Sequence, residues 1–252
     1  MVHGSAQGSE YGGDKHFAAQ ARLGDRGWRV IAPDRPGHGR SPSPGRPDDA
    51  EADGQWVAEL LGDGAHLVGH SFGGCVALAA AAMRPAAVRS LTLIEPAVMA
   101  FAFDHPDVQE FGKRMVALYS GSGSDAELAA GFIELVRIPS EIRGGTQGPE
   151  LERVGAALRQ LKLPSPDQLK IWLTVVKTRQ IPFLIVTGGW NPAFEAVSER
   201  AALFGGGRHA VIQSEHHFPQ IVSEEFNDTL AEFMAAADRQ AKTKQQDTPA
   251  SS

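Results

Sequence analysis

The chain of 252 residues is 42% hydrophobic and 21% charged, with a formal net charge of −6, the make-up of a globular protein large enough to bury one sizeable core. The acidic balance and the lack of a long Lys/Arg run argue against a nucleic-acid surface, no apolar run approaches the length that spans a bilayer, and no secretory signal opens the sequence. Cys75 is the single cysteine, which excludes an intrachain disulfide; a cytoplasmic protein without nucleic-acid or membrane partners is expected, its oligomeric state unknown.

In chain order, an apolar strand pattern falls at residues 28–32 and a helical one around 55–61. Residues 65–68 form a second strand pattern, followed at once by a helix of small residues over 73–84. A third strand pattern covers 90–94. From about 97 to 180 the alternation stops and four helical stripes replace it. The first holds Val108, Phe111, Met115 and Leu118, and the second Leu128, Phe132, Leu135 and Val136. The third holds Leu151, Val154, Leu158 and Leu161, and the fourth Leu169, Trp172, Leu173 and Val176. Ser124 with Glu127 reads as a capping box, and Pro166 takes a first helical position. Strand patterns return at 182–186 and 208–212. Helices follow each, at 192–203 and on the stripe Val222, Phe226, Leu230 and Phe233. Strands alternating with helices predict an α/β fold with a mainly parallel sheet. Residues 1–96 and 181–238 are expected to form its core, 97–180 a helical cap inserted into it, and the polar stretch 239–252 a disordered tail.

Gly69-His70-Ser71-Phe72-Gly73 fits the pattern G-x-S-x-G, in which a serine sits on a tight turn between strand and helix and small neighbours let the two pack closely. It falls where a strand pattern gives way to a helix, which is the context the motif requires. A serine hydroxyl is a weak nucleophile at neutral pH and needs a general base. Metal and phosphate readings fare worse: His216-His217 lacks helical ligand spacing, and Gly205-Gly206-Gly207 precedes a strand instead of a helix.

Several motifs in order make the chain resemble the α/β-hydrolase superfamily over nearly its whole length. His3-Gly4 resembles the oxyanion loop after the family's third strand. Asp34 to Ser41 resembles the loop after the fourth, and Leu91 to Pro96 the sixth strand. Gly188-Gly189-Trp190 resembles the turn after the seventh, and His216-His217-Phe218 lies where the catalytic histidine belongs. The resemblance implies an α/β-hydrolase fold with a cap after the sixth family strand. It also implies strands ahead of His3, of which only Met1 and Val2 are present, so the first family strands are missing and an N-terminally truncated chain is expected. His217 falls in the base position, with His216 as the alternative; His209, His70 and His38 read as structural. The acid departs from the commonest pattern, because Asn191 stands where an aspartate is usual. Glu95, closing the sixth family strand, resembles the arrangement of certain haloalkane dehalogenases and zearalenone lactonases; Glu195, or a dyad without an acid, is the alternative.

The resemblance further implies an oxyanion hole from the backbone N–H groups of Phe72 and Ser5. Phe72 and Trp190 are expected to line the acyl pocket, while Asp34, Arg35 and Arg40 tie their loop together. The expected activity is hydrolysis of a small-molecule ester or lactone through an acyl-enzyme, by Ser71, His217 and Glu95, with no cofactor and no metal. A cofactor-free perhydrolase or carbon–carbon bond hydrolase shares the same motifs. A binding protein on a hydrolase scaffold is the rival from another class.

Overall fold

A computed structural model describes residues 1–5, 7–143 and 148–246 of the chain. Four parallel strands form one sheet in the order β1-β2-β3-β4: β1 (Ala65–His70), β2 (Val88–Ile94), β3 (Phe183–Thr187) and β4 (Arg208–Val211). The helices are α1 (Gly13–His16), α2 (Ala50–Leu60), α3 (Phe72–Met83), α4 (Pro106–Ser120), α5 (Asp125–Leu135), α6 (Ser140–Arg143), α7 (Pro149–Gln160), α8 (Pro166–Thr178), α9 (Pro192–Gly205) and α10 (Glu224–Gln246).

Alternation along the strands divides the core in two. Leu67, Leu91, Leu93, Phe183 and Ile185 face a layer built on α2, α3, α8 and α9. Val68, Ile94, Leu184 and Val186 face the opposite layer, where Phe226, Leu230 and Phe233 of α10 meet Phe17 and Leu23. A period of two on a sheet covered on both faces is what a central parallel strand demands.

Three expectations change. Residues 28–32 are not a strand. Trp28, Val30 and Ala32 do turn one face to the core, but no ladder forms: Trp28 N donates back to the Leu23 carbonyl at 3.1 Å, and the Met1 amino group donates to the Ile31 carbonyl at 2.6 Å. Val2 in turn pairs with β1 through Val2 N to the Val68 carbonyl and His70 N to the Val2 carbonyl. Beyond Met1 a cavity of about 430 Å³, lined by Val30, Ile31, Leu67 and Val68 among others, separates the two segments. The tail also differs: residues 239–246 continue α10, because Ala, Gln, Lys and Arg prolong an existing helix at little cost. The expected disorder of 247–252 lies outside the described residues. Last, the fourth helical stripe, on α8, packs into the core layer beside α3 and α9. Leu128 and Ala129 of α5 and Val154 and Leu158 of α7 build a small core of their own, with Leu118 and Tyr119 of α4 packed against it. The expected capping box of Ser124 with Glu127 forms, and a second joins Ser165 to Gln168 ahead of Pro166.

Candidate active site

Ser71, Glu95 and His217 follow the carboxyl ends of β1, β2 and β4, the edge of an open parallel sheet where ligands usually lie. Ser71 follows β1 directly, at φ 55° and ψ −124°. That left-handed backbone is costly for a residue with a side chain. The turn is held by close packing: a Cβ on Gly73 would lie 2.3 Å from the His3 carbonyl oxygen, and one on Gly69 would lie 2.3 Å from that of Gly73. Ser71 is the N-cap of α3, yet its side chain caps nothing. The hydroxyl is therefore left for other partners, and the first N–H groups of α3 point out of the helix end unpaired within it.

Glu95 follows β2 and is likewise at positive φ, 44°. Its carboxylate is fully buried. Oε1 accepts from Gly188 N at 2.6 Å, and Oε2 lies 3.2 Å from Nδ1 of His217. Burial pushes the Glu95 carboxyl up to about 7, against the pull of the Gly188 N–H, and pushes the buried His217 imidazole down to about 3. At neutral pH the imidazole is neutral, the form a base needs. The same dry surroundings strengthen attraction between the carboxylate and any positive charge that forms on the ring. With Nδ1 facing Glu95, Nε2 is the nitrogen left to meet a hydroxyl; Ser71 Oγ makes no hydrogen bond to it in this structure.

The other residues separate cleanly. His216 is half-buried and spends its Nδ1 on Ser214 Oγ (3.0 Å) and Phe218 N (3.2 Å). Glu195 accepts from Gly189 N at 2.9 Å and Thr187 Oγ1 at 2.7 Å, and that Thr187 hydroxyl also meets His209 Nε2 at 2.7 Å. Asn191 caps α9 through Ala193 N. Trp190 does stand beside the site, 6.1 Å from the His217 ring, with the Arg137 guanidinium 5.5 Å above it. The Phe72 ring does not: it is buried under the Arg35 guanidinium at 4.9 Å, so the fit to a pocket fails for its side chain.

Arg35 organises the loop in front of Ser71. It is fully buried, donates to the Gly4 carbonyl at 2.7 Å, and pairs with Asp53 at 2.7 Å and with Asp48. Arg46 reaches the other Asp53 oxygen at 2.5 Å, so two arginines balance two aspartates. Burial opposes the Asp48 charge, but Arg35 and His38 hold its carboxyl below the usual value. His3 joins by accepting from Arg35 N through Nε2 at 2.9 Å and donating Nδ1–H to the Gly4 carbonyl at 3.0 Å. A Cβ on Gly4 would sit 3.3 Å from the Ser71 Cβ, so Ser5 follows a residue stacked on the serine. Asp34 ties its own loop, accepting from Gly13 N at 2.8 Å and Arg40 N at 2.9 Å. Arg35→Met is expected to cost about 3–5 kcal/mol by stranding buried carboxylates. Arg40→Met, whose side chain is 83% exposed, should stay within about 0.5 kcal/mol. Urea unfolding midpoints of the two variants check this; equal midpoints would overturn it.

Among the described residues no group of three or more His, Cys, Asp or Glu side chains could hold a metal ion, and no helix is long and apolar enough to cross a membrane. A family model described as the alpha/beta hydrolase family matches residues 1–229. The chain is similar to the lipase LipV of Mycobacterium tuberculosis, 46% identical over 92 residues that cover 35% of this chain and 34% of that protein. It is also similar to a pimeloyl-[acyl-carrier protein] methyl ester esterase of Neisseria meningitidis, 33% identical over 170 residues that cover 64% of each. The chain thus spans less than two thirds of the length of these relatives. In fold it resembles the N-acyl homoserine lactonase AidH, solved with N-butanoyl homoserine, at a TM-score of 0.62 and 22% identity over 94% of this chain and 88% of that one.

Proposed function

This chain belongs to the alpha/beta hydrolase family, and from that premise we propose that it hydrolyses a carboxylic ester or lactone by way of an acyl-enzyme on Ser71. The observation that carries the proposal is the buried pair of Glu95 Oε2 and His217 Nδ1 at 3.2 Å, at the same end of the sheet as a strained serine whose hydroxyl caps nothing. The order serine, acid, histidine along the chain is that of the fold.

Ser71 Oγ attacks the carbonyl carbon while His217 Nε2 takes its proton, and Glu95 stabilises the imidazolium through Nδ1–H. The carbonyl oxygen, now negative, is received by the N–H groups of Phe72 and Ser5. Phe72 offers the positive end of α3, and the Arg35 network holds the loop that carries Ser5. His217 then returns the proton to the departing alkoxide. Water repeats the cycle on the acyl-enzyme and releases the acid. Trp190 forms one wall for the acyl or alcohol part. The esterase relative and the lactonase of similar fold support this substrate class.

The test is a fluorophosphonate probe followed by peptide mass mapping. The expected result is one adduct, on the peptide holding Ser71, that Ser71→Ala lacks. A folded protein that takes no adduct there would overturn the acyl-enzyme and favour a ligand-binding role.

A further inference from the structure

His70 stands between Gly69 and Ser71, and its ring turns inward beneath the serine. Nε2 lies 2.7 Å from the backbone carbonyl of His217. A carbonyl only accepts, so Nε2 carries the proton and Nδ1 is bare. The partner of that bare nitrogen is His16 Nε2 at 2.8 Å, and it must therefore be the donor. The hydrogen bonds run one way, from His16 through His70 to the main chain of His217. All three rings are buried, and burial holds His16 and His70 well below the ordinary histidine value, so both stay neutral at pH 7. Phe218 packs over His16 at 5.2 Å and His70 at 4.5 Å. Asp34 anchors the start of α1, which carries His16, through Gly13 N at 2.8 Å.

We infer that His16 and His70 are positioning residues for the base: His16 fixes the tautomer of His70, and the Nε2–H of His70 fixes the backbone of His217 relative to Ser71. The inference rests on the proposal that Ser71 and His217 are nucleophile and base. Its physical warrant is that His70 is covalently next to the serine, so one hydrogen bond spans the gap between the two reacting groups. A shift of about 1 Å in such a gap costs up to about a hundredfold in rate.

The first measurement is nitrogen-15 NMR of the wild-type imidazoles at pH 7.5. The expected result is a neutral Nε2–H tautomer for both His16 and His70; an Nδ1–H tautomer on His70 overturns the inference whether or not Ser71 reacts. The second is kinetics of His16→Gln, whose amide N–H can stand where Nε2–H stood, against His16→Asn, which is too short. His16→Asn is expected to lose at least about tenfold in kcat with KM within about twofold, and His16→Gln to recover most of it. Equal kcat in the two folded variants overturns the inference. Should the wild type take no fluorophosphonate at Ser71, the acyl-enzyme reading fails, and the tautomer measurement still decides the hydrogen-bond chain.

Discussion

Glu95→Gln is expected to lower kcat on an activated ester by about 10⁴-fold while KM stays near its starting value. The amide can still take the Gly188 N–H on its oxygen, the bond now 2.6 Å long. It then turns its NH₂ toward His217 Nδ1. That donor makes Nδ1 an acceptor and places the ring proton on Nε2, where it faces Ser71 and cannot receive the serine proton. The charge that stabilises the imidazolium is lost as well. Asn191→Asp in the same background should not restore the rate, because Asn191 is committed to capping α9. Steady-state kinetics with circular dichroism as a fold control checks this. A loss of less than about tenfold in Glu95→Gln, or rescue by Asn191→Asp, would remove Glu95 from the role.

Acid should unfold this protein early. Burial holds His3, His16, His70 and His217 below the ordinary histidine value, so between their folded values and about 6.5 the unfolded chain binds protons that the folded one does not. The stability these rings contribute is then full above pH 6.5 and falls as pH drops through that window. Arg35 and His38 face these rings with positive or ionisable groups and add to the effect on His3 and His16. Glu95, pushed up to about 7, works in the opposite sense, since its folded form takes up a proton before the unfolded one. Burial also lowers His66, His216 and the Met1 amino group, the last from 8.0 to about 5, so the groups that resist protonation in the folded chain outnumber the one carboxyl that favours it, and each proton of difference is worth about 1.4 kcal/mol per pH unit. A domain stable by about 5–15 kcal/mol cannot survive many such units. Urea unfolding at pH 8.0, 6.5 and 5.5 should show a midpoint that falls gently over the upper interval, where the buried Met1 amino group resists its proton, and steeply over the lower, where the imidazoles join it. A midpoint independent of pH would mean that the rings carry protons when folded.

Much of this was legible in the residues themselves. The elbow around Ser71 could be placed because a strand pattern, two glycines and a run of small residues coincide. Glu95 could be singled out because Asn191 left the usual acid position without a charge. What escaped shares one cause: patterning reports burial, not backbone partners. Trp28, Val30 and Ala32 alternate as a strand would and do bury one face, yet ladder formation needs a neighbour that apolar spacing cannot reveal. The stripe on α8 has the same spacing whether it lies over the strand ends or against α3. His16 carried no signal, since its partner lies 54 residues away. The helical run at 239–246 was masked by polarity, although its residue types favour helix.

The route between β2 and β3 has an evolutionary consequence. Parallel neighbours need a crossover, and α8, packed against α3 and α9, completes it, with Val108 and Phe111 of α4 in the same core layer. Helices α5 to α7 are an excursion on that crossover. It rejoins near Lys162, whose N–H meets the Asp48 carbonyl at 2.9 Å. Lengthening or exchanging such a detour costs little in chain entropy, since closure grows only with the logarithm of length. Ser71, Glu95, His70 and His217 all lie outside it. A lineage that keeps these four residues in place can therefore vary the helices of the detour, leaving the hydrogen-bonded frame around Ser71 and Glu95 as it is.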